Sequence, residues 1–115
     1  MELQKIINLA VNALEDVKGI DITVLDTTKL SSLFSTLIVC SGTSNRQVKA
    51  LANNVSKDLK SNGIEIIGTE GEQGGEWVLV DCGDVVIHIM LPQVREYYDL
   101  ESLWNGSRPS SQASI

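Results

Sequence analysis

The side chains in this 115-residue chain best placed to do chemistry are two carboxylates and an imidazole: Asp81, Asp84 and His88, all within residues 76–91 (EWVLVDCGDVVIHIML). If that stretch folds as a hairpin closed at Cys82-Gly83, Asp81 and Asp84 stand side by side across the ladder. Like charges so placed are unfavourable unless a cation lies between them, whether a metal, a basic side chain of this chain or one from a partner. A small enzyme acting on a phosphate-containing substrate through Asp81, Asp84 and His88 is one reading. Against it, no third metal ligand is visible, no serine or cysteine stands beside the histidine, and no acid orients it. The segment SGTSN at positions 41–45 lacks the Gly-Lys-Ser/Thr ending of a phosphate loop, and Ser44 with Gln47 three residues on has the form of a capping box. No catalytic residue, metal site or cofactor is assigned.

The hairpin that would carry these groups has a clear period of two. With Asp81 opposite Asp84, Leu79 pairs with Val86, Val78 with Ile87 and Trp77 with His88. One face then holds Val78, Val80, Val85, Ile87, Ile89 and Leu91 and belongs to the core. The other holds Trp77, Leu79, Val86, His88 and Met90, an apolar surface with an acidic rim, of the composition found at contact surfaces. Two readings of it stand: a docking face, or a sheet covered on both sides by the chain's own helices.

Length and composition describe one domain able to bury a core without disulfides or metals. No apolar run reaches the roughly 20 residues of a bilayer span, and the N-terminus has no leader pattern, so a cytoplasmic protein is expected. Cys40 and Cys82 are expected as free thiols. The net charge is −6, and residues 65–101 hold nine acids against the single base Arg95. That field opposes a phosphate backbone, so no direct nucleic-acid binding is expected, and it favours a basic protein surface.

The elements that must position the hairpin follow from periodicity. Residues 1–18 form a helix with Leu3, Ile6, Ile7, Ala10, Leu14 and Val17 in one stripe, closed by Gly19. Residues 21–26 and 37–40 are strands. The helix after Ser44 buries Val48, Leu51, Ala52, Val55 and Leu59, leaves Lys49, Asn53, Lys57 and Lys60 wet, and ends at Asn62-Gly63. Residues 65–68 form a third strand, parallel to the second through that helical crossover. The acidic, glycine-rich residues 69–75 form a mobile loop. Pro92 stops the last strand, and a short helix or two turns over residues 94–104 carry Tyr97, Leu100, Leu103 and Trp104 to one side. The expected fold is an α/β (α+β) sandwich with a mixed five-stranded sheet, two main helices and a short C-terminal helix, spanning residues 1–104, with a disordered tail at 105–115.

The segments SGTSNRQVKALANNV, EGEQGGEWVLVDCGDVVIHIM and REYYDLESLW, in this order and spacing, make the chain resemble the RsfS/Iojap family of ribosomal silencing factors. The resemblance implies a nucleotidyltransferase-like fold without catalysis. It also implies docking on the large ribosomal subunit through its protein number fourteen, so that the small subunit cannot join and translation is repressed under nutrient limitation or in stationary phase. It further implies a homodimer off the ribosome. Carried onto this sequence, the contact surface falls on Trp77 and its sheet-face neighbours Leu79, His88 and Met90, with Glu70, Asp81 and Asp84 meeting basic side chains. Tyr98 is read from its residue type as a further part of a contact surface. Ser35 stands where the family commonly has an aspartate, and Cys82 where it has a larger turn residue.

Overall fold

Two amphipathic helices and a sheet with apolar residues on both faces can bury their surfaces only by stacking, and the computed structural model, which describes residues 2–105, stacks them. Helix α1 (Leu3–Asp16) and helix α2 (Asn45–Ser61) form one layer. Ala10, Ala13 and Leu14 of α1 and Val48, Leu51, Ala52, Val55 and Leu59 of α2 are buried in the core they share with the sheet.

The ends of these helices differ from expectation in detail. The left-handed residue after α1 is Lys18 (φ 62°), and Gly19 does not have positive φ. Glycine is needed at 19 for another reason: a Cβ there would stand 2.5 Å from Cys40 Sγ. At the start of α2, Ser44 Oγ accepts a hydrogen bond from Gln47 N at 3.1 Å. The return half of the capping box is displaced by one residue, since Gln47 Oε1 accepts from Thr43 N at 2.6 Å. Gln47 Nε2 donates to Val17 O at 3.1 Å, tying the end of α1 to the start of α2.

The sheet contains β1 (Ile20–Asp26), β2 (Thr36–Ser41), β3 (Gly68–Glu70), β4 (Trp77–Asp81) and β5 (Val85–Met90), in the order β1-β2-β5-β4-β3. It is mixed: β2 runs parallel to β5, and every other neighbouring pair is antiparallel. The expected parallel pair of second and third strands does not form. β5 is apolar on both faces and fills the place beside β2, whereas β3 is short and polar and takes the edge. The third strand also begins later than expected, because Ile64 and Ile66 turn into the core as the chain leaves α2, and pairing with β4 starts only at Gly68.

The hairpin register is offset by two residues from the expected one, with Trp77 opposite Met90, Leu79 opposite His88 and Asp81 opposite Val86. The cause lies in the turn. Asp81 Oδ1 accepts from Gly83 N at 2.9 Å, Gly83 has φ 88°, and Cys82 N donates to Val85 O at 2.9 Å, so Cys82 faces Val85 and the turn is centred on Gly83-Asp84, one residue beyond the expected Cys82-Gly83. An offset of two preserves which side chains share a face. Val78, Val80, Val85, Ile87 and Ile89 are therefore buried against α1 and α2 as expected.

On the opposite face the chain from Pro92 forms two short helices, α3 (Pro92–Tyr98) and α4 (Leu100–Asn105), where a short helix or two turns was expected. They are separated by Asp99, whose φ of 48° breaks the helical path. Arg95 fixes their position. Its guanidinium donates to both carboxylate oxygens of Glu101 at 2.9 and 3.2 Å, to Ser41 Oγ at 3.0 Å and to Thr23 Oγ1 at 3.0 Å. The tail expected at 105–115 lies, from residue 106 on, outside the described residues.

Candidate functional site

The face opposite α1 and α2 is only half covered. Leu37, Val39 and Met90 are fully buried there, with Leu25, Phe34, Val94 and Leu100 packed around them. Beyond this cluster, toward β4, the floor opens into two adjoining hollows that share Leu79 and His88. The smaller, about 260 Å³, lies between Trp77 and the Glu70-Gly71 turn. The larger, about 480 Å³, is walled by Leu33, Phe34, Leu100 and Leu103 and closed at one end by Asp81 and Gly83. The resulting groove is apolar, carries Leu33 at 84 % and Leu103 at 68 % exposure on its lips, and is not walled by α1 or α2.

The aromatic side of the groove is built as a ladder from the sheet outward. Trp77 Nε1 donates to His88 Nδ1 at 2.9 Å. The indole also lies 4.9 Å, centroid to centroid, from Tyr98, and Tyr98 in turn meets Tyr97 edge-on at 4.9 Å. Burial pushes the His88 imidazole down to about 4, so near neutrality the ring is uncharged, accepts at Nδ1 and carries its proton on Nε2. His88 is thus a polar pin that fixes the indole. The loop before β4 shapes the same wall: Gly71 has φ 84°, and a Cβ there would come within 2.1 Å of Trp77 O. Asn45 Nδ2 donates to Gly74 O at 2.6 Å and ties to α2 the loop that the sequence suggested would be mobile.

Most residues expected at a docking face converge here. Trp77, Leu79 and His88 form the floor, and Glu70 and Asp81 an acidic edge. Tyr98 lines neither hollow and stands behind the indole of Trp77, and Asp84 is exposed in the turn outside them. Met90 is fully buried under the C-terminal segment and offers nothing to a partner. It lies opposite Trp77 in the ladder and beside Ser41 of β2, at the end of the sheet that Arg95 and the short helices close. Leu33, Phe34 and Leu103 were missed as groove residues. The signal was available in LSSLFS, where an apolar pair stands in a polar connection with no strand partner.

The chemistry considered for Asp81, Asp84 and His88 is not assembled. Asp81 and Asp84 are not ladder partners, Asp81 is engaged by the turn amide, and His88 Nδ1 is taken by the indole. Among the described residues, no group of three or more His, Cys, Asp or Glu side chains could hold a metal ion. Cys40 and Cys82 are free, and burial raises each thiol to about 11. The geometry offers a partner a shape and a charge pattern.

Comparison with known proteins gives the same direction. The family model described as "Ribosomal silencing factor during starvation" matches residues 1–115. The chain is 63 % identical over 110 residues to the ribosomal silencing factor RsfS of Chromobacterium violaceum, covering 96 % of this chain and 90 % of that one. A crystal structure of a C. violaceum protein superposes with a TM-score of 0.91 at 63 % identity, covering 96 % of this chain and 92 % of that chain. A Bacillus halodurans structure superposes with a TM-score of 0.81 at 40 % identity, covering 88 % and 94 % respectively.

Proposed function

We infer the function of this chain from the premise that it belongs to the ribosomal silencing factor family, RsfS: it acts at the ribosome as a regulator of translation rather than as an enzyme. The finer reading is that it binds the large subunit in the cytoplasm through the basic ribosomal protein number fourteen. From there it blocks joining of the small subunit when nutrients are limiting or in stationary phase. The observation that carries this reading is the half-covered sheet face, with an apolar groove at Leu79 and His88, exposed leucines on its lips and acids at its edge. A partner presenting an apolar side chain surrounded by Lys or Arg would fill the groove and neutralise its rim. Off the ribosome the same face serves a second copy of this chain, so dimerisation and subunit binding compete.

Trp77 is a poor sole probe, because its half-buried indole also holds His88 and Tyr98. Leu33 is the cleaner one. Leu33→Glu is expected to keep the melting temperature and to reduce co-sedimentation with purified large subunits by about 30-fold in affinity, corresponding to about 2 kcal/mol for an interface anchor. Trp77→Ala should lose binding and some stability together. Retention of full subunit binding by Leu33→Glu would refute this interface.

A further inference from the structure

The acidic balance of the chain conceals a segregated positive surface on the far side of the molecule. Of its nine Lys and Arg residues, four lie on α2: Arg46, Lys49, Lys57 and Lys60. All four are exposed, as is Asn53 between them. At about 100° per residue, positions 46, 49, 53, 57 and 60 fall within an arc of about 80° on the side of α2 away from its buried stripe, in a line roughly 21 Å long. The helix's one acid, Asp58, projects well off that line. None of these four cations forms an ion pair among the described residues, where Arg95–Glu101 does. The expectation against nucleic acid came from residues 65–101, whose acidic loop meets α2 at its first turns, where Asn45 holds Gly74 O and Lys49 stands beside Gly75.

We propose that the outer face of α2 is a second interaction surface, which takes a sugar–phosphate backbone by charge and without reading sequence; that this backbone is RNA rests on the reading that the chain acts at the ribosome. Charge complementarity selects a polyanion, and the composition of the stripe selects a phosphate backbone over an acidic protein. Between the cations lie only Ala50 and Asn53, so a protein partner would find no aromatic or large apolar anchor, which protein interfaces concentrate at their centre. A backbone needs none, because long flexible lysines neutralise successive phosphates and release counterions. The α2 surface and the Leu79–His88 groove lie on opposite layers of the sandwich, so both can be occupied at once. The inference is independent of the groove's partner.

The test is fluorescence anisotropy of the full chain with a labelled RNA duplex of arbitrary sequence, titrated at salt concentrations from about 50 to 200 mM. The wild type is expected to bind at the lowest salt with a slope of log affinity against log salt of about −3.6 for the four cations, about −0.9 per phosphate neutralised. Lys49→Gln/Lys57→Gln/Lys60→Gln, all exposed positions, should melt normally and lose at least about tenfold in affinity together with most of that slope. Leu33→Glu should keep both, which separates a failure of this surface from a failure of the groove. Absence of wild-type binding at the lowest salt would overturn the proposal, as would equal binding by the triple variant. Salt-sensitive self-association abolished by the lysine changes, in place of RNA binding, would also overturn it in favour of a protein occupant.

Discussion

The two faces of the sheet are made of nearly the same residues and end in different states. On one, Ile38, Cys40, Val78, Val80, Val85, Ile87 and Ile89 are fully buried beneath α1 and α2. On the other, only Leu37, Val39 and Met90 are, and Trp77, Val86, Leu79 and His88 remain partly open. What differs is the cover. Helices of 14 and 17 residues lie over the first face, and helices of 7 and 6 residues over the second, with none of α3's residues buried. Burial of a strand residue is therefore set by the length of helix available to lie on it, and the shortfall becomes the groove.

The covered layer is the more sensitive of the two to a lost side chain. Ile87→Ala should destabilise the fold by about 3 kcal/mol or more in urea unfolding, the usual effect of a cavity in a closed core. A loss under about 1 kcal/mol would mean that this face, too, is loosely packed. Arg95→Ala comes next. Its charged hydrogen bonds hold α4 to β1 and β2, and its side chain is 12 % exposed, so a loss of about 2 kcal/mol is expected, with Leu100 and Leu103 released from the groove wall. An unchanged melting temperature would remove Arg95 as the clasp.

His88 gives a pH signature of similar size. Its folded value is depressed to about 4 from 6.5, so the unfolded chain binds the proton more readily. The stability that the neutral ring contributes is complete above about pH 6.5 and is lost as pH falls toward 4, by about 2 kcal/mol at pH 5. His88→Gln should flatten that dependence between pH 6.5 and 5, and a slope equal to wild type would show that carboxylates alone set it. The smallest stability effect belongs to the groove lip, where Leu33→Glu should fall within about 0.5 kcal/mol of wild type.

How far the sequence could be read depended on the kind of order involved. Alternation is local, so both hairpin faces were legible at Val78–Val80 and Val85–Ile89 even though the register was placed two residues away, because the Asp81–Gly83 turn bond that sets it gives no periodic signal. The buried stripe of α2 was read residue by residue. The Arg95 clasp was not, because its partners at Thr23 and Ser41 lie 72 and 54 residues away.

By itself, then, the chain's order of residues determined the two main helices, the two-sided apolar hairpin and the acidic half, since each follows from spacing within a few residues. Only the tertiary structure decided that β5 lies between β2 and β4, that Met90 is sealed while Leu33 and Leu103 are bare, and that Trp77 is pinned by His88. Those outcomes depend on which distant segment arrives to cover a surface, and the geometry of closure sets that rather than any local pattern.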